Sequence, residues 1–324
     1  MKFNLFNSIL CFLLFIKNYS IHAQCKFNPN TNEGYMQIWN FEHHSSQYFL
    51  FLTFMISNQG KGDLNNGLTI YFFDKLKNKE YLKTLEFTNK HLKAIPDDLQ
   101  IELENHSKLK LTSNKILIDA NSGEDKPIFK LKIEIPLNIN DKNTTIDSYL
   151  DIKNNTISYK IIYFLPQRIK FRFKENHYQS FGAIGMECLH TKDNPLDIAN
   201  SFYFIRNFDI KHKFFLFYLD NENQKHNGYI HYYNTSFPIL NEYKITINNK
   251  FFLESDQCKI SSKELKYIGG FYVLNNVSMI LRWFLKLIGI DPFIKHYRSS
   301  LYLNCKNKIN YFPMVQFTHI QLKQ

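Results

Sequence analysis

From Tyr35 to Asp74 the apolar residues fall in short runs between polar breaks: YMQIWNF, YFLFLTFMIS and, after NQGKGDLNNG, LTIYFFD. The runs are rich in aromatic and β-branched residues, which suit a pleated, half-buried surface, and the breaks carry the Asn, Gly, Asp and His of turns. They predict three consecutive antiparallel strands. Further strands are expected at 80–88, 99–103, 109–119, 127–136, 145–151 and 157–164. A second series is expected at 167–174, 181–189, 201–208, 213–220, 227–234, 243–254, 267–274, 298–305 and 311–320. Proline is excluded from central strands, so Leu165-Pro166-Gln167 marks the change from one series to the next. The pattern reads as an all-β protein of two consecutive antiparallel barrels, 25–165 and 166–324.

One segment departs from the two-residue period. Val277 to Ile288 (VSMILRWFLKLI) places Ile280, Leu281, Phe284, Leu287 and Ile288 at helical spacing, and Gly289 and Pro292 end it. A helix over 277–288 fits against a barrel end or wall. Trp283 with Arg282 and Lys286 also fits peripheral contact with a membrane surface.

At the start of the chain, Lys2, the apolar run Ile9–Ile16 and the small residues near Ala23 read as a signal peptide over 1–24. Export follows as the expectation: periplasmic, outer-surface or secreted. Lipid anchoring at Cys25 is the lesser alternative, because Gln24 stands where a lipoprotein signal places a small residue.

The net charge of +11 and the 16% aromatic content raise the question of nucleic acid. The lysines, however, alternate with apolar residues, as in FKLKIEI (Phe129–Ile135) and RIKFRF (Arg168–Phe173). That is the pattern of strands with one wet face, and no nucleic-acid partner is expected. Outside the signal stand Cys25, Cys188, Cys258 and Cys305, an even number that suits an oxidising compartment and allows three connectivities. Cys258 with Cys305 is the preferred pair, both lying in the last third of the chain. No spacing suggests a metal site, and no phosphate loop, nucleophile elbow or cofactor motif is present.

The strand Tyr35–Phe41 and the aromatic hairpin after it resemble the opening of the two-domain lipocalin-like proteins of the AttH and carotenoid hydratase group. Trp39 and Phe41 match that group's tryptophan-rich first strand, while Gln37 and Asn40 replace an acid and a tyrosine. Phe181–Phe208 stands at the second characteristic motif. There Gly182 and Gly185 keep the glycine spacing, Glu187 takes the place of the acid, His190 is displaced and the tryptophan is missing. The resemblance implies two lipocalin-like barrels and a hydrophobic or isoprenoid ligand. It does not carry hydratase activity with it, since the Asp-His-Trp set is not intact.

From chemistry alone, hydrating or cyclising an alkene needs a buried acid kept protonated and aromatic faces beside the developing cation. Glu187, with His190, is the candidate acid. The plainer alternative is a strand-end carboxylate paired with Arg206. Trp39, Phe41, Phe51, Tyr71 and Phe73 are the expected ligand wall of the first barrel; Tyr203, Phe204, Arg206 and Tyr232 are that of the second. His43 and His44 read as exposed turn residues. The expected function is an exported, cofactor-free binder or carrier of a lipid or isoprenoid, with a hydratase or cyclase and a surface interaction protein as the alternatives.

Overall fold

The computed structural model describes residues 25–323 apart from short internal stretches, the longest being 137–144, 192–198, 208–213, 221–225 and 273–278, and within several strands it describes the backbone alone. The expected signal segment, 1–24, lies outside the described residues. Two antiparallel sheets make up the molecule.

The first sheet contains β1 (Met36–His44), β2 (Tyr48–Ser57), β3 (Asn65–Asp74), β4 (Lys79–Phe87), β5 (Leu92–Ala94), β6 (Gln100–Leu103), β7 (Ser107–Leu111), β8 (Lys115–Asn121), β9 (Phe129–Pro136), β10 (Thr145–Ile152), β11 (Asn155–Phe173) and β12 (Asn176–Thr191). The second contains β13 (Ser201–Asn207), β14 (Phe214–Asp220), β15 (His226–Tyr232), β16 (Thr235–Leu240), β17 (Lys244–Ile247), β18 (Lys250–Glu254), β19 (Cys258–Glu264), β20 (Lys266–Tyr272), β21 (Ile290–Cys305) and β22 (Lys308–Lys323). Their spatial orders are β4-β3-β2-β1-β12-β11-β9-β8-β7-β6-β5 and β16-β15-β14-β13-β22-β21-β19-β18-β17, with β10 on β11 and β20 on β21. The second sheet therefore repeats the path of the first, without counterparts of β5 and β6. In each, the opening strand pairs with the closing one.

Two-residue alternation gives each sheet an apolar inward face. The first encloses Trp39, Phe41, Leu52, Phe72, Phe129 and Phe171, and the second Ile205, Phe214, Leu216, Phe251, Leu303 and Phe317. A further apolar layer, with Leu189, Phe202, Phe204, Phe215 and Phe217, joins outward-facing residues of β12 with those of β13 and β14. The central strands of the two sheets thus pack back to back.

Three expectations are corrected. The change of sheet falls between Thr191 and Ser201, not at 165/166, because β11 runs through Pro166. The register against β12 shifts between Phe164 and Gln167, so the proline sits in a bulge where no ladder hydrogen bond is asked of it. His43 and His44 are not exposed turn residues: they end β1, where His43 is fully buried and the His44 side chain is 10% exposed. Lipid anchoring at Cys25 is excluded in this folded state, since its sulfur is bonded to Cys188. That bridge fixes the segment before β1 across the first core, where Cys25 and Phe27 are buried and the Cys25 carbonyl accepts from Trp39 Nε1 at 2.9 Å. The expected bridge, Cys258–Cys305, pins β19 to β21.

Apart from the single 3-10 turn Asn89–His91, no helix is complete among the described residues. Within 277–288, Met279, Trp283, Lys286 and Leu287 are described, in helical conformation and exposed; the other positions lie outside the described residues.

Candidate acid site between the two sheets

β1 presents Trp39, Phe41 and His43 to the first core, so Asn40, Glu42 and His44 face the other way, toward the second sheet. The register sets Asn40 opposite Glu187 on β12 and opposite Thr53 on β2. Asn40 Nδ2 donates to Glu187 Oε2 at 2.9 Å, and Thr53 Oγ1 donates to Asn40 Oδ1 at 2.8 Å. Close strand crossing here depends on Gly182, where a Cβ would stand 1.9 Å from the His44 carbonyl oxygen.

Arg206 reaches in from β13. Its Nε donates to Glu42 Oε1 at 2.6 Å and lies 3.3 Å from Glu187 Oε1, and Nη2 donates to Thr318 Oγ1 at 3.3 Å. The guanidinium stands 5.5 Å from the ring centre of Phe51 and 5.7 Å from that of Phe204. Thr318 also bonds His296 Nδ1 at 3.1 Å, and the His296 ring packs on Phe51 at 5.4 Å. With its amide nitrogen turned inward, Gln316 donates to both Glu42 oxygens at 3.1 and 3.2 Å. Glu42, Glu187 and Arg206 are 0, 1 and 2% exposed.

Two carboxylates and one guanidinium in a buried junction leave one negative charge too many, and a proton removes it. Burial is the larger influence on Glu42 and raises its pKa to about 7, against the opposing pull of the Arg206 charge and hydrogen bond. Burial likewise lowers His44 to about 3, helped by the Lys75 and Arg206 charges and opposed by Glu187. The 2.9 Å contact between His44 Nε2 and Glu42 Oε2 is thus a hydrogen bond to a neutral imidazole rather than an ion pair. His296 is lowered to about 3 by burial and then by Arg206, so it too is neutral.

The structure separates the sequence candidates into three groups. Glu187, Arg206, Phe204 and Phe51 meet at the junction, and the plainer expectation of a Glu187–Arg206 pair is what the geometry shows. Tyr71 and Phe73 share the outward face of Phe51, the former donating to Glu80 Oε2 at 3.3 Å and the latter lying 4.0 Å beneath Arg298. Trp39, Phe41 and Tyr203 point into the two cores instead. The pairing of Glu187 with His190 is corrected. Three residues apart on one strand, they face opposite sides, and His190 lies against Tyr35 at 5.8 Å. Tyr232 is placed at the end of β15 opposite Phe214, and only its backbone is described.

Glu42, Asn40, His296 and Gln316 were not expected at the site. The signal for the first two was present: Asn40, Glu42 and His44 alternate on one face of an otherwise aromatic strand.

No protein-family model and no curated protein sequence matches the chain. Solved structures do. An AttH-like protein from Nitrosomonas europaea is 7% identical with a TM-score of 0.58, over 90% of this chain and 94% of that one. Kievitone hydratase from Nectria haematococca is 8% identical with a TM-score of 0.58, over 93% and 92%. The chain has the two-domain lipocalin-like fold. At these identities the likeness concerns the fold alone, and the lipocalin-like architecture accounts for both sheets rather than one.

Proposed function

We propose that the protein is an exported acid–base enzyme of the hydratase or cyclase type, acting on a double bond of a hydrophobic small molecule at the Glu42–Glu187–Arg206 junction. The observation that carries this is Glu42, a fully buried carboxyl raised to about 7 and therefore able to hold a proton near neutral pH. An acid and a carboxylate on one guanidinium form the pair that such chemistry needs, one group to give a proton and one to receive it. In hydration, Glu42 gives its proton to one alkene carbon, water oxygen bonds to the other, and Glu187 takes the proton that water loses. Phe51 and Phe204 supply π faces at the site. Kievitone hydratase, a protein of the same fold, carries a hydratase name, which agrees with this reading. The two disulfides agree with export to an oxidising compartment.

The test is turnover of a panel of unsaturated isoprenoids in oxygen-labelled water. We expect wild-type protein to yield a product heavier by one labelled water, or an isomer of the substrate for cyclisation. Glu42→Gln should lower the rate by about 10²–10⁴-fold, the range of general-acid catalysis. If the wild type binds members of the panel without converting any, the carrier reading replaces the enzyme. The aromatic lining of the inward faces favours that second reading.

A further inference from the structure

An aromatic row leads away from the acid junction on the outward face of β2 and β3. The register sets Phe51 and Tyr71 in line with Glu42, and Phe49 and Phe73 in line with His44. The His44 and Phe49 rings lie 4.6 Å apart, Phe49 and Tyr71 5.7 Å, and the Arg298 guanidinium closes the row 4.0 Å from the centre of Phe73. Arg298 and His296 stand two residues apart on β21, one at each end of this row. Lys75 follows β3, with its ammonium on the Ser45 carbonyl. Burial lowers Lys75 to about 8, and the Arg298 charge adds to the shift, as expected of two cations near one another. Among the described residues neither forms an ion pair: Lys75 meets a neutral carbonyl, and Arg298 Nη2 donates to Asn78 Oδ1 at 3.1 Å. The carboxylates nearby are engaged elsewhere. Glu80, opposite Phe73 on β4, accepts from Tyr71 at 3.3 Å, and Asp74 pairs with Lys77 at 3.7 Å.

We propose that Lys75 and Arg298 hold the oxyanion head, a carboxylate or a phosphate, of the hydrophobic molecule on which the acid junction acts. Three features select that ligand. Two half-buried cations without a counter-ion favour an anion over a neutral group. Their donors suit oxygen: a guanidinium offers a planar fork to two oxygens at once, and an ammonium has three N–H groups, of which the Ser45 carbonyl takes one. The aromatic row between the cations and Glu42 matches an apolar body behind the head. The two-residue step along β21 from Arg298 to His296 is about 7 Å, which puts the reacting double bond near the head rather than at the far end of a long chain. This reading rests on the acid chemistry for the reacting group, but the binding it asserts requires no turnover.

The test is a comparison of binding constants for farnesyl phosphate, farnesoic acid and farnesol, which share one apolar body and differ in the head. At least one of the two anions should bind wild type about tenfold or more tightly than the alcohol, the worth of one charge-assisted hydrogen bond. The tighter of the two anions identifies the head as phosphate or carboxylate. Lys75→Gln and Arg298→Gln should each remove the preference and leave farnesol binding as it was. Arg298→Lys, which keeps the charge without the fork, should restore part of it. Arg298 also touches Phe73 and Asn78, so Lys75→Gln, which gives up only the Ser45 contact, is the deciding variant. Equal affinity for anions and alcohol would overturn the proposal, and so would a preference that Lys75→Gln leaves intact. Inorganic phosphate that competes as strongly as farnesyl phosphate would also overturn it, assigning the two cations to a free ion. Wild type that binds the anions but converts none would keep the head site and remove the acid chemistry. Conversion of neutral alkenes with no preference for anions would do the reverse.

Discussion

At the scale of single residues, the site turns on where one proton resides. Glu42 ionises at about 7 in the folded protein against 4.5 for the free group, so the folded state holds a proton that the unfolded state has released. By linkage, this group's contribution to stability declines as pH rises from 4.5 toward 7, by about 3 kcal/mol. Buried histidines act in the opposite sense. His43, His44 and His296, each lowered to about 3, destabilise the fold as pH falls below 6.5, because the unfolded chain then binds protons they refuse. Whole-protein stability should therefore rise with pH up to about 6.5. The Glu42 part is isolated by difference. Urea unfolding of wild type and Glu42→Gln, measured between pH 4.5 and 7, should show wild type losing ground to the variant as pH rises. A difference independent of pH would mean that Glu42 titrates normally.

At the scale of elements, what was legible followed from local pattern. Runs such as YFLFLTFMIS become β2 almost residue for residue, because aromatic and β-branched positions leave the chain few alternatives. The breaks were harder. Asn155–Phe173 reads as two strands because proline interrupts it, yet a bulge keeps one strand through Pro166. The run 109–119 reads as one strand but divides into β7 and β8, with Thr112 turning back to accept from the Lys115 N–H at 3.1 Å. The Cys25–Cys188 bridge escaped because its partners are 163 residues apart, a distance that only the β1–β12 pairing closes. Its energetic role follows from that separation. Cross-linking so long a loop restricts the unfolded chain, and removing such a bridge costs about 2–5 kcal/mol. Replacing both cysteines by serine should lower the urea midpoint accordingly, with little change in the signal of the native sheet. An unchanged midpoint would show that Phe27 and the Trp39–Cys25 hydrogen bond hold the leading segment without the bridge.

At the scale of the whole molecule, one strand path is used twice and the two copies meet through their central strands. This explains why the site was only half legible. Glu187 and Arg206 lie close in sequence, but Glu42 joins them through the β1–β12 ladder and Gln316 through the β13–β22 ladder. The junction also decides whether the two sheets unfold together. Apolar contact through Leu189, Phe204 and Phe217 draws them together without direction, whereas Arg206, hydrogen-bonded to Glu42 and ion-paired with Glu187, fixes one register of sheet on sheet. Replacing Arg206 by alanine leaves two carboxyls buried without their cation, a change that costs about 3–5 kcal/mol. That cost falls on the junction, not on either core. Hydrogen exchange in rising urea should therefore show β1–β4 and β13–β16 opening together in the wild type and at separate urea concentrations in Arg206→Ala. Because the Arg206 charge and hydrogen bond are what pull Glu42 down against burial, Glu42 in the variant should stay protonated to a higher pH than in the wild type, and the separation should widen only as pH rises above about 7. If both sets of amides still open together in the variant, the apolar layer alone couples the sheets, and the buried charges are kept for chemistry rather than for assembly.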